Sequence, residues 1–183
     1  TSDITINAIS TGTSAESSWH YGLLLGTLEN STSCIIQSSS GNISIVGETD
    51  FSEETHGAGI GLYSFGHSDS NITIKTVSGA IDLTGKLNST GFNNQYGGIY
   101  LYGDGQEQIV SQTGDINLIG SSVNPNVAGI NQHPGNITSS IGFDGVNSFT
   151  GNLTFNSDTF INYDGVITAD ELNLQGVGVD YTF

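Results

Sequence analysis

Five aromatic residues of this chain, Trp19, Tyr63, Phe65, Tyr100 and Tyr102, are the ones whose type and spacing could recognise a ligand. In Ile99-Tyr100-Leu101-Tyr102 the rings alternate with aliphatics. If Ile99 and Leu101 face a core, Tyr100 and Tyr102 face away from it. Aligning Gly59-Ile60-Gly61-Leu62-Tyr63 with Gly97–Tyr102 sets Tyr63 beside Tyr102, with Phe65 just beyond. Such a strip could stack on sugar rings, because tyrosine joins a flat apolar face to a polar tip. A second arrangement is favoured over it. Trp19, Tyr21, Phe51, Phe92 and Tyr96 sit in or beside long joints, and these could fold back to make a satellite core.

Other groups carry weaker chemistry. Glu48, Asp50, Glu53 and Glu54, with Asp69 in the same repeat, could offer calcium hard oxygen ligands, but no EF-hand spacing or Gly-rich Asp repeat is present. A solvated acidic loop explains them as well, so no cofactor is expected and calcium stays the one candidate. His20 and His56 precede equivalent segments and could approach each other, yet two ligands are too few for a structural zinc site. Six sequons, at Asn30, Asn42, Asn71, Asn88, Asn136 and Asn152, fall largely where a turn itself favours Asn. The single Cys34 lies beside Ile35 and Ile36 and reads as a small buried hydrophobe.

Catalysis finds little support. The only cationic side chains are Lys75 and Lys86; there is no Arg to neutralise a uronate or abstract its proton. A glycoside hydrolase needs two carboxylates about 5–9.5 Å apart. Asp82 aligns with Ser44 and Asn117, and nothing singles out Asp69, Asp104 or Asp115. No nucleophile elbow or phosphate loop occurs. The chain is expected to be non-catalytic.

Formal net charge is −16 over 183 residues. That balance excludes phosphate backbones and anionic lipid heads as partners. No run reaches about 18 apolar residues, so no membrane insertion is expected.

The elements that must position these residues come from a repeat. A G-x-I-x-I pattern recurs at Ser2–Ile6, Gly41–Ile45, Gly79–Leu83, Gly114–Leu118 and Gly151–Phe155, in steps of 39, 38, 35 and 37 residues, followed by a step of 19 to Leu172-Asn173-Leu174. A second segment lies midway (Tyr21–Leu25, Ala58–Leu62, Gly97–Leu101, Ala128–Ile130). A third precedes the next Gly: Cys34–Ile36, Asn71–Ile74, Gln108–Val110 and, more loosely, Val146–Phe149. Period-two alternation marks each as a strand with one buried face, and no helical periodicity appears.

One such turn of chain cannot bury its own apolar face, whereas stacked turns can. We therefore predict an all-β, right-handed parallel β-helix of about five to six coils, three short strands per coil. It forms one domain over 1–183, with units near 2–40, 41–78, 79–113, 114–150 and 151–183. Ile4, Ile43, Ile81, Ile116, Leu153 and Leu172 should form one inward column; Ile6, Ile45, Leu83, Leu118, Phe155 and Leu174 the next. Two coils of about 18 residues per unit is arithmetically possible, but the three segments of a unit differ, which favours one. The surplus length is assigned to the joints Ser10–His20, Glu48–His56, Lys86–Tyr96 and Ser121–Val127. Neither end reads as a polar cap.

Gly41–Gly47, Gly59–Tyr63, Gly97–Leu101 and Gly114–Gly120 resemble the repeats of filamentous-haemagglutinin-like bacterial exoproteins of the two-partner-secretion type. The likeness is one of repeat style and spans most of the chain. It implies a β-helix exported to the surface of a Gram-negative bacterium, with an adhesive or matrix-building role. Asn124-Pro125-Asn126 is similar to a tripeptide of that family's secretion domain but lacks its apolar flank, so a simple turn is expected. The expected partners are a glycan or surface receptor, or further copies of the chain end to end.

Overall fold

The computed structural model describes residues 2–12, 19–26, 31, 33–51, 56–64, 69–89, 96–133, 138–142, 151–176 and 181–182. Every regular element among them is a β-strand. The first coil holds β1 (Ile4–Gly12), β2 (Trp19–Gly26) and β3 (Ser33–Ser38). The second holds β4 (Ile43–Phe51), β5 (His56–Ser64) and β6 (Asn71–Thr76). The third holds β7 (Ile81–Leu87), β8 (Ile99–Gly103) and β9 (Gln106–Ser111). The fourth holds β10 (Ile116–Ser122), β11 (Ile130–Gln132) and β12 (Thr138–Ile141). The fifth holds β13 (Asn152–Ser157), β14 (Ile161–Asn162) and β15 (Val166–Ile167), and β16 (Glu171–Gln175) and β17 (Tyr181–Thr182) begin a sixth.

Each strand pairs in parallel with its counterpart one coil away, which makes three walls in the order β1-β4-β7-β10-β13-β16, β2-β5-β8-β11-β14-β17 and β3-β6-β9-β12-β15. Ile4 pairs with Ile43, Ile43 with Ile81, Ile81 with Ile116, Ile116 with Leu153 and Leu153 with Leu172. The second predicted column holds the same register. Each long unit is therefore one coil, and the solenoid expected from the sequence is the fold observed.

Inward aliphatics of the three walls meet in one dry core. Ile43, Ile45, Ile60, Leu62, Ile72, Ile74, Ile81, Leu83, Ile99 and Ile116 have no exposed surface. Burying each contributes roughly 1.5–3 kcal/mol. At the first coil Ile4, Ile6, Leu23, Cys34 and Ile36 are only half covered, and on the far side Leu172 and Leu174 are 42% and 39% exposed. The described core is thus open at both ends.

Where the first wall meets the second, glycines let the backbones touch. A Cβ on Gly85 would lie 2.0 Å from the Gly98 carbonyl oxygen, and one on Gly120 would lie 2.1 Å from that of Gly129. At the third corner, side chains stand in for turn partners of the backbone. Asn42 Oδ1 accepts from Ala80 N at 2.9 Å, and Asp115 Oδ1 from Asn152 N at 2.9 Å. This use of the Asn42 side chain fits turn chemistry, whereas at Asn152 the side chain that acts is that of Asp115. Asn30 and Asn136 lie outside the described residues.

Two sequence expectations need correction. The third strand of the fourth coil is β12, not Val146–Phe149; residues 143–150 lie outside the described residues. Ile141 pairs with Ile109 and Ser140 with Gln108, so the strand carries one aliphatic anchor and escapes a hydrophobic search. The first strands also run further than expected, to Gly12 and Phe51, so Ser10–Gly12 and Glu48–Phe51 are ladder rather than joint.

Candidate functional site

The aromatic strip exists, but it is covered. On the second wall Tyr63 pairs with Tyr102 and Gly61 with Tyr100, as the aligned motifs required. Gly61 is outward-facing and bare, and the Tyr21 ring fills the space its side chain would take, 2.9 Å from an ideal Cβ. The rings of Tyr63 and Tyr102 lie 4.9 Å apart between centroids, and those of Tyr96 and Tyr100 lie 4.4 Å apart. With Ala58, Tyr21 and Leu24 they make a second hydrophobic cluster outside the main core.

Tyr63 and Tyr100 have no exposed surface, so neither can present a face to a sugar. For these two the strip reading is replaced by the satellite core. Outward residues become buried here because Tyr96, Tyr21 and Trp19 close over them. Phe65 and Phe92 lie outside the described residues. The accessible members are at the rim: Trp19 is 46% exposed, and Tyr102 and His133 are half-buried. Trp19 packs edge-on to Tyr63 at 6.3 Å and tilted against Tyr96 at 5.4 Å. Tyr102 meets His133 edge-on at 4.5 Å.

The interior hydroxyls are costly. Those of Tyr21, Tyr63 and Tyr100, and Nδ1 of His56, are buried without a hydrogen-bond partner. Burial drives all three phenols above the ordinary tyrosine range, so they stay neutral.

The histidine pair does not form. Trp19 pairs with His56 and His20 with Gly57, a one-residue offset that puts the two imidazoles on opposite sides of the wall. His20 stacks on Phe51 at 3.8 Å, while His56 packs with Trp19 and Tyr96. Among the described residues no group of three or more His, Cys, Asp or Glu could hold a metal ion. Glu48 of the acidic cluster accepts from Asn88 Nδ2 at 2.8 Å and lies 3.8 Å from Lys86 Nζ; Glu53 and Glu54 lie outside the described residues. Asp82 accepts from Asn117 at 2.7 Å, a ladder contact rather than a carboxylate pair. Asn124 Oδ1 accepts from Asn126 N at 3.0 Å, closing the simple turn expected of Asn-Pro-Asn.

Sequence reasoning missed Glu107. It points into the core, in register with Ile72 and Ser139, and has no exposed surface. Ser64 donates its hydroxyl proton to Glu107 Oε1 and itself accepts from Gly105 N at 3.1 Å. Oε2 has no partner. Ser139 donates to the Tyr163 hydroxyl at 3.2 Å in the adjoining coils. Burial pushes the Glu107 carboxyl up to about 7, against the smaller opposing pull of the Ser64 hydrogen bond. The signal was available: once Ile109 faces inward, alternation turns Glu107 inward too.

No protein-family model, curated protein or solved structure matches the chain.

Proposed function

We propose that this chain is a non-catalytic rod segment of a secreted or surface-displayed bacterial protein, with a structural spine and an adhesive second wall that binds glycans. One observation carries the reading. Aromatic packing runs unbroken from Trp19 through Tyr63 to Tyr102, with rigid, buried rings beneath an accessible rim. A sugar face gains most from rings that are already ordered, because little side-chain freedom is lost on binding. The acidic, cation-poor surface agrees with a module that stays apart from its own copies and from nucleic acid.

The test is a glycan array with the wild type, Trp19→Ala, Tyr102→Ser and the double variant, each checked for folding by circular dichroism. Binding by the wild type and at least a tenfold loss in the double variant are expected. No wild-type binding, or equal binding by the folded double variant, removes the glycan-binding part of the proposal. Replacing Tyr63 or Tyr100 would confuse binding with folding, since both are core.

End-to-end assembly is the second reading, favoured by the exposed Leu172 and Leu174 on the last first-wall strand. Long fibres of the purified chain in electron micrographs would support it, and monodisperse short rods would refute it.

A further inference from the structure

We propose that a groove on the outer side of the third wall binds a sugar carboxylate, with Lys75 as its anion-binding group. The groove encloses about 500 Å³ and crosses the first three coils. Small-ligand sites fall in the range of about 300–1,000 Å³. Its walls carry Lys75, the amides of Gln37 and Gln112, the hydroxyl of Ser38, and the aliphatic faces of Val77 and Val110. None of its described lining residues is acidic.

Charge makes this place unlike the rest of the molecule. Of the two lysines, Lys86 is drawn to Glu48 at 3.8 Å. Lys75 has no ion-pair partner among the described residues, and register sets it between Gln37 and Val110, both neutral. At physiological ionic strength the screening length is about 8 Å, so distant carboxylates fade while the ammonium keeps its local field. A long polyanion would still meet the −16 of the whole chain. A ligand with a single carboxylate meets far less of that repulsion.

The remaining lining selects a sugar over a bare acid. Lys75 supplies a point charge with three donors. Gln37, Gln112 and Ser38 offer both donors and acceptors, which suit ring hydroxyls. Val77, 47% exposed, gives an apolar face for the C–H side of a pyranose, while Val110, 2% exposed, is the closed floor beneath it. Together these match a hexuronate or a short saccharide bearing one. This site is on a different wall from the aromatic platform, so the two proposals stand or fall separately.

Because the chain has only two lysines, reductive ¹³C-methylation yields two side-chain signals that can be followed by NMR. Titration with glucuronate should give a saturable shift at Lys75 and leave Lys86 in place. Glucose should give none, and acetate should bind at least fivefold more weakly. Lys75→Gln should raise the Kd for glucuronate at least tenfold, read at the side-chain amides of Gln37 and Gln112, while Lys75→Arg retains binding. Four outcomes would overturn the proposal: no shift, an equal shift at Lys86, equal effects of glucose and glucuronate, or equal affinity for acetate and glucuronate. The Lys75 titration should be unchanged in Trp19→Ala. An empty glycan array beside an intact Lys75 shift would therefore sink the aromatic platform alone.

Discussion

Glu107 places an acid where its neighbours place aliphatics. Its unfolded carboxyl titrates near the ordinary value of 4.5, and its folded one at about 7. The folded pKa is the higher, so the folded chain holds the proton more tightly. The stability this confers is complete below the unfolded value and is lost as pH rises through about 7. A shift of this size corresponds to about 3 kcal/mol. The groups facing it are Ser64 on β5, Ile72 on β6, Ser139 on β12, Tyr163 beyond β14 and, through its charge, Asp104 before β9. Glu107→Gln keeps the Ser64 contact and cannot ionise. Thermal melts from pH 5 to pH 8 should therefore fall less steeply in this variant, which should be the more stable protein at pH 8. Parallel curves would mean that Glu107 is solvated. The satellite core allows a second check at this scale. The Tyr100 hydroxyl is buried without a partner, so Tyr100→Phe should be neutral or stabilising by up to about 1–2 kcal/mol in urea unfolding. A loss of more than 1 kcal/mol would mean that the hydroxyl is bonded after all.

At the scale of the strand, the aliphatic columns were legible because the repeat preserves both residue class and alternation. Ile4 to Leu172 could be aligned by eye, and the register follows that alignment. Legibility failed where the pattern lost its letters. β12 carries Ser139 in register with Ile72 of β6, and Gly142 follows Ile141 where Val110 follows Ile109, so no apolar pair marked it. The aromatic wall failed differently. Alternation gives the direction of a side chain relative to its own sheet, and it correctly turned Tyr63 and Tyr100 outward. It says nothing of what folds over them. Two strand-level substitutions separate core filling from backbone contact. Leu118→Ala should cost about 2–5 kcal/mol in urea unfolding, as a buried cavity does. Gly85→Val should cost more, because its Cβ would meet the backbone oxygen of Gly98 rather than a yielding side chain. If Gly85→Val is the milder change, the two walls are not in contact there.

Taken whole, the molecule is a short prism. Strands about 4.8 Å apart give six coils a length on the order of 25 Å. Among the described residues the core is open on two faces, which favours contact with further coils, and a net charge of −16 opposes contact between copies. These tendencies respond oppositely to salt. Raising ionic strength from 20 mM to 500 mM should promote association measured by sedimentation velocity, since repulsion is screened and apolar contact is not. Leu172→Asp with Leu174→Asp should abolish that response; if it persists, association uses another surface.

The fifth coil bears on all of this. Leu153 pairs with Leu172 only 19 residues later, whereas Ile4 pairs with Ile43 across 39. Nineteen residues thus suffice to circle the spine, and half of each longer lap is embroidery that the axis does not require. Closing a longer excursion costs little, since the entropy grows only with the logarithm of its length. Such a chain can exchange its ornaments while its backbone stays fixed, and recognition can diversify without renegotiating the fold.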